Sequence, residues 1–234
     1  MVGVALCSSP VRLTPVVRSK PLKSAPPIPS ALKEKLTAID NEVVLLHFKW
    51  THLMQLFGTE KHLAVINATA PSIFSVIEEA MLTDILLTLI RLVDPPKSGN
   101  QENLSLRNLA ADISDQKLRD QVIVLESQIR TKTQDVKRWR DKKLAHNDLL
   151  RLLKKSAPVS PIQINELTSA LALVREALNL IHGYFFDTTV LYEQCITEKD
   201  GNQLVFFLNY GLECWTEDKE KQDFTRAKKW REKT

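Results

Sequence analysis

The sequence predicts an all-α protein, an up-and-down helical bundle, on three observations. Apolar residues recur at alternating spacings of three and four through several long segments, which lays them along one face of a helix. Alternation of period two, the mark of a half-buried strand, is absent over any useful length. Glycine occurs only 6 times in 234 residues, too rarely for a Gly-rich β protein or a doubly wound nucleotide-binding fold.

The first 30 residues stand apart. They hold 6 of the 11 prolines, carry Arg12, Arg18, Lys20 and Lys23 with no acid, and show no periodicity. Residues 1–29 are therefore expected to form a disordered, flexible basic tail that adds nothing to the core. From Ser30 onwards, Leu32, Leu36, Ile39, Val43, Leu46, Trp50, Leu53 and Phe57 form one apolar stripe, with Pro29-Ser30 as entry signal and Gly58 as exit. A second helical stretch runs from Glu60 to Val93, with Pro71 as a kink or a restart. Its part from Ile73 is apolar on nearly every face, as in a central buried helix. Asp94-Pro95-Pro96 and Ser98-Gly99-Asn100 break it.

Leu104 to Ile113 reads as a short helix. Leu118, Val122, Leu125 and Ile129 open a long one, expected to continue through Val136 and Trp139 to about Leu153. Ser156 to Pro161 is the next loop. Ile164, Leu167, Leu171, Val174, Leu178, Ile181 and Phe185 then repeat without a miss, in a helix that Asp200-Gly201 is expected to close. Leu204 to Leu208 suits either strand or helix. The end is charged, with Glu217, Asp218 and Glu220 before Lys228, Lys229 and Arg231, an order that complements a helix dipole. The division expected is a tail over 1–29, a bundle over 30–215 and a charged C-terminal helix over 216–234.

Composition excludes several functions. No apolar run reaches the roughly 18 residues of a membrane span. Cys7, Cys195 and Cys214 form neither a C-x-x-C nor a disulfide framework, which fits a reducing, cytoplasmic setting. His47, His52 and His62 lack a metal-ligand spacing, and no Gly-rich phosphate loop is present. No metal or other cofactor is expected. The net charge of +4 equals the charge of the tail, so any nucleic-acid surface on the folded part must be local.

Such a patch lies at Ile129 to Lys155, where ten basic and three acidic side chains sum to +7. A charge run is usually a solvated face. Here, however, the three-four register from Ile129 runs through Lys132, Val136, Trp139, Lys143 and His146. A cationic Lys143 cannot be buried unpaired, so this helix is expected to line a polar cleft, face a second subunit, or bend.

Within that helix Arg140, Asp141, Lys142, Lys143 and His146 spell R-x5-H. The segments "LIRLVDPP", "NLSLRNL" and "RWRDKKLAHND" follow in that order. Together they resemble the AbiU-type branch of the HEPN proteins, from Leu32 to about Tyr210. The resemblance implies an all-helical, commonly dimeric, metal-independent endoribonuclease of a phage-defence or toxin–antitoxin setting. Arg140 and His146 are then the catalytic pair, supported by Asp141, Lys142, Lys143 and Arg91. RNA, a second copy of the chain, and an antitoxin or nucleotidyltransferase are the implied partners. The alternative is a non-catalytic HEPN-like module that binds RNA or protein. Six residues at about 100° each leave Arg140 and His146 about 120° apart on an ideal helix. They converge on one phosphate only if the helix is distorted or two subunits share the site. Arg91 and Asp94, three apart at a helix end, read first as an ion pair and second as a basic element at the cleft mouth.

Overall fold

The computed structural model describes residues 16–19, 25–140, 163–194 and 199–232. Helices dominate them, as the periodicity predicts: α1 (Ser30–Phe57), α2 (Glu60–Thr69), α3 (Pro71–Leu92), α4 (Leu106–Ala111), α5 (Gln116–Lys132), α6 (Gln134–Arg140), α7 (Ile164–Phe186), α8 (Gly201–Lys221) and α9 (Thr225–Arg231). Four short strands accompany them: β1 (Val16–Ser19), β2 (Lys97–Ser98), β3 (Gln101–Glu102) and β4 (Thr188–Leu191). The architecture is all-α, a helical bundle with minor β structure.

The chain divides into two compact units. The first takes residues up to Phe48 and from Ile85 to Ile196, and the second takes Lys49–Asp84 and Thr197 onwards. In the first unit the stripes meet as expected. Leu32, Leu36, Ile39, Val43 and Leu46 of α1 are buried, as are Ile85, Leu86, Leu89 and Ile90 of α3. Leu118, Val122, Leu125 and Ile129 of α5 pack along α7, whose Leu167, Leu171, Val174, Leu178 and Ile181 are buried in turn. A short polar side chain caps each helix start between them. Ser105 accepts from the Asn108 N–H at α4, and Asp115 accepts from the Leu118 N–H at α5, at 2.8 Å.

In the second unit α2, the first half of α3 and α8 enclose a small core of Leu56, Val65, Ile66, Phe74 and Val205. The side chain of Gln55 fixes the start of α8. It donates to Asp200 Oδ2 at 2.9 Å and accepts from the Gly201 N–H at 3.0 Å. The two segments come so close that a Cβ on residue 201 would lie 2.9 Å from Gln55 Cβ, which restricts this position to glycine.

Pro71 restarts a helix, one of the two outcomes expected of it, because Ala70 lies outside the helical region and ends α2. Five other expectations need correction. The first half of α3 is not buried all round. Phe74, Ile77 and Met81 face the second unit's core, whereas Ile73 and Val76 are 61% and 66% exposed. Among the described residues, those turns bury the face that carries Phe74, Ile77 and Met81.

The long helix expected from Leu118 breaks at Thr133, whose hydroxyl and N–H both turn back to the Ile129 carbonyl. Its continuation from 141 to Leu153, and the loop at 156–161, lie outside the described residues. Asp200-Gly201 opens α8 rather than closing α7. Asp187 ends α7 at φ 49°, in the left-handed region that Asp tolerates, and Asp200 caps α8 by accepting from the Gln203 N–H. The run at Leu204–Leu208 is helical, and α8 passes through the boundary expected at 215/216 to Lys221.

The fifth correction concerns the tail. Val16–Ser19 pairs antiparallel with Thr188–Leu191, in the register Val16↔Leu191 to Ser19↔Thr188. Two β-branched residues suit a strand, but their partner lies far along the sequence, where local periodicity does not reach. Deleting residues 1–19 should therefore lower stability by about 1–2 kcal/mol, a fall in Tm of roughly 2–8 °C in a chain of this length. Deleting only residues 1–15 should leave the calorimetric midpoint in place.

Candidate functional site

The end of α6 carries the motif. Thr133 is buried, and after the break the buried stripe passes from Ile129 through Thr133 to Val136. Lys132, which the unbroken register put on the stripe, instead turns outward to Glu166 of α7 at 2.9 Å. Arg140 is the last residue of α6. Asp141, Lys142, Lys143 and His146 lie outside the described residues, and so does the register that puts Lys143 and His146 on the stripe.

The approach to this point is built on one buried acid. Glu126 is fully buried on α5. Arg107 of α4 donates to it at 2.9 Å, and Arg130, one turn on, grips it through Nε and Nη2. Arg130 Nη2 also donates to the Val93 carbonyl at 2.8 Å. That contact fastens the end of α3 to the end of α5, because a guanidinium offers several donors in a fixed plane. Beside it lies a pocket of about 210 Å³ lined by Ile90, Val93, Asp94, Arg130, Thr133, Gln134 and Lys137.

Arg91 occupies the last turn of α3. It donates to Thr88 Oγ1 at 2.9 Å and lies 3.6 Å from Glu42 of α1. The ion pair is thus with Glu42. A second pocket, of about 250 Å³, opens here between Glu42, Arg91, Asp94 and Glu102. Arg91 balances Glu42 and Lys97 lies 3.9 Å from Glu102, so the three carboxylates leave a small excess of negative charge, which suits a cationic group better than a phosphate. Asp94 lines both pockets.

A separate polar cluster lies in the core of the first unit. Asp40 of α1 accepts from His182 Nε2 of α7, at 3.0 and 3.1 Å to its two oxygens, and from the Tyr192 hydroxyl just after β4. Burial first, and the Asp40 charge second, push the Tyr192 phenol far above its ordinary value, so it keeps the proton that it donates to Asp40. His47 stacks on Tyr192 with ring centroids 6.2 Å apart. Its Nε2 is buried and has no hydrogen-bond partner among the described residues. Asn179 of α7 pairs both backbone groups of Val190, donating to its carbonyl and accepting from its N–H, which docks β4 on the helix.

Sequence reading missed Glu126 and Asp40. Both had a signal. Glu126 interrupts the stripe of Val122, Leu125 and Ile129 with an arginine one turn on, and Asp40 follows Leu36 at a helical spacing of four. An acid on an apolar stripe implies a buried partner. Among the described residues no group of three or more His, Cys, Asp or Glu is placed to hold a metal ion.

The His47 environment makes stability depend on pH. Burial, and then the nearby Arg175 charge, lower its pKa to about 3 from the ordinary 6.5. Between these values the unfolded chain binds a proton that the folded chain does not, so stability must fall as pH drops below about 6.5. Replacing His47 with Phe should flatten the dependence of urea-unfolding free energy on pH between 6.5 and 4. Equal slopes for the two proteins would remove His47 from the account.

The AbiU2 family model of HEPN domains matches residues 29–204, three quarters of the chain. No match is found among curated proteins or among solved structures. The all-helical architecture, the three ordered segments and a family match from just before α1 to the first turn of α8 agree, and the chain belongs to the AbiU2 family of HEPN domains.

Proposed function

We propose that this protein is a metal-independent endoribonuclease of HEPN type, cytoplasmic, acting in a phage-defence or toxin–antitoxin setting. The observation that carries the reading is the R-x5-H of Arg140 and His146 inside the matched span, in a segment of local charge +7. Cleaving RNA by attack of the 2′-OH needs a group to take that proton and a group to protonate the leaving 5′-oxygen. An imidazole of pKa near 6.5 serves either step near neutral pH. The Arg140 guanidinium binds two phosphate oxygens as a fork and stabilises the charge growing on them. Asp141, Lys142 and Lys143 flank this pair. The separation of about 120° on an ideal helix is met by two copies sharing one site.

The acid-lined pocket beside Arg91 favours a second reading, a protein-binding HEPN module without catalysis. Its carboxylates would repel an RNA backbone and receive a basic segment of a partner, such as an antitoxin or nucleotidyltransferase.

Cleavage assays separate the two. His146→Ala and Arg140→Ala should each lower RNA cleavage by about 10²- to 10⁴-fold with the circular dichroism spectrum unchanged. Arg140→Lys should also be poor, because an ammonium makes no fork. Activity should survive excess EDTA, spare DNA of the same sequence, and leave 2′,3′-cyclic phosphate ends. Cleavage that needs a divalent metal, or that the two alanine variants retain, would overturn the ribonuclease reading.

If the site is shared, Trp139→Glu should abolish cleavage while the protein stays helical. Full activity in that variant would mean one chain carries the whole site.

A further inference from the structure

The segment from Ile129 to Arg138 carries four cations, and three of them are paired. Arg130 is held by Glu126, Lys132 by Glu166 and Arg138 by Asp135. Lys137 is exposed and makes no ion pair with a described residue. Together with Asp94, Arg130 and Gln134 it lines the pocket of about 210 Å³ beside the Glu126 clasp. That volume is below the roughly 300–1,000 Å³ of pockets that enclose drug-sized molecules, so it takes one flat ring system rather than a whole nucleotide.

The lining has a definite chemistry. Ile90 and Val93 are buried and apolar. The Thr133 hydroxyl already donates to the Ile129 and Arg130 carbonyls. Arg130 turns Nε and Nη2 to Glu126 and the Val93 carbonyl, contacts that do not engage its Nη1 donors. The pocket therefore sets a carboxylate, an acceptor with two oxygens, beside two cationic donors. Guanine matches this set. Its ring N1–H and its exocyclic amine are adjacent donors that one carboxylate takes together, and its O6 beside them accepts from a cation. Adenine and cytosine put an acceptor ring nitrogen next to the amine, and uracil flanks one N–H with two carbonyls. Each would set an acceptor against an oxygen of Asp94.

The pocket lies close to the motif along the chain. Lys137 and Arg140 are three positions apart on α6, which is roughly 4.5 Å along the helix axis. A phosphate held at Arg140 has its own base, or the next one, within range of Lys137. We propose that this pocket reads a guanine base of the RNA, Asp94 accepting from N1–H and the amine and Lys137 donating to O6, and so selects where the strand is cut. The role in choosing the cut rests on the ribonuclease reading. The preference for guanine rests on the pocket alone.

Fluorescence anisotropy of the full chain with labelled 2′-O-methyl hexamers, whose nucleophile is blocked, tests the pocket apart from the reaction. UUUGUU should bind about 10-fold or more tightly than UUUAUU, the discrimination that one bidentate contact to a base gives. Inosine in place of the guanine lacks the amine and should lose most of that advantage. Asp94→Asn and Lys137→Ala should each bring the two hexamers close to equal affinity. The Lys137→Ala protein should keep the wild-type Tm, because that side chain pairs with no described acid. Guanosine 5′-monophosphate, which offers the same edge without a strand, should bind about 10-fold or more weakly than UUUGUU. Equal binding would make a free nucleotide the ligand and overturn the proposal. A guanine preference without cleavage of ordinary RNA supports the pocket and removes the ribonuclease reading. Cleavage of ordinary RNA with equal binding of the two hexamers overturns the pocket and leaves the ribonuclease reading in place.

Discussion

The first unit depends on Glu126. A carboxylate removed from water is costly, and the fold tolerates it because two guanidinium groups complete its hydrogen bonding. The arginines differ in consequence. Arg107 brings α4 to α5, and Arg130 carries the link on to the carbonyl that ends α3. Removing Glu126 would release two partly exposed cations that water can take back. Removing both arginines would strand a buried anion, the more damaging change. The start of α6, and with it the backbone that leads to Arg140, hangs from this clasp.

Asp40 plays a parallel part at the other side of the same unit. It satisfies a histidine on α7 and the phenol after β4 with one carboxylate, so α1, α7 and the strand segment are positioned by a single acceptor. His47 lies against that phenol as a neutral ring. Both devices place one acid inside an otherwise apolar face. This specifies which helices meet more sharply than apolar contact, which is non-directional.

What the sequence discloses and what it hides follow from the range of each interaction. The stripes of α1, α5 and α7 are local, repeating every three or four residues, and they locate the helices and most of the core. Helix ends at Thr133, Asp187 and Ala70 depend on backbone conformation at single residues, and no periodicity encodes those. The β1–β4 ladder and the clasp on Glu126 join residues far apart in sequence, so their partners are visible only in the fold. Hydrophobicity alone misleads at α3, where Ile73 and Val76 resemble Phe74 in composition and differ only in what stands opposite. For the site, R-x5-H is legible as a spacing, and the structure carries it as far as Arg140. That Arg91 pairs with Glu42 rather than Asp94 depends on α1, 49 residues upstream (91 − 42).

The ladder between β1 and β4 has a consequence in time. Val16 pairs with Leu191, 175 residues later (191 − 16). A ribosome adding about 5–20 residues per second needs on the order of 10–35 s to deliver the second strand after the first has emerged. Throughout that interval the first strand lacks its ladder partner, while the local turns of α1 form in microseconds. The hydrogen bonds of this ladder are thus made after the helices between its two strands have been synthesised. A nascent chain interrupted anywhere before residue 188 holds its first strand open, with unpaired backbone groups to offer any other chain it meets.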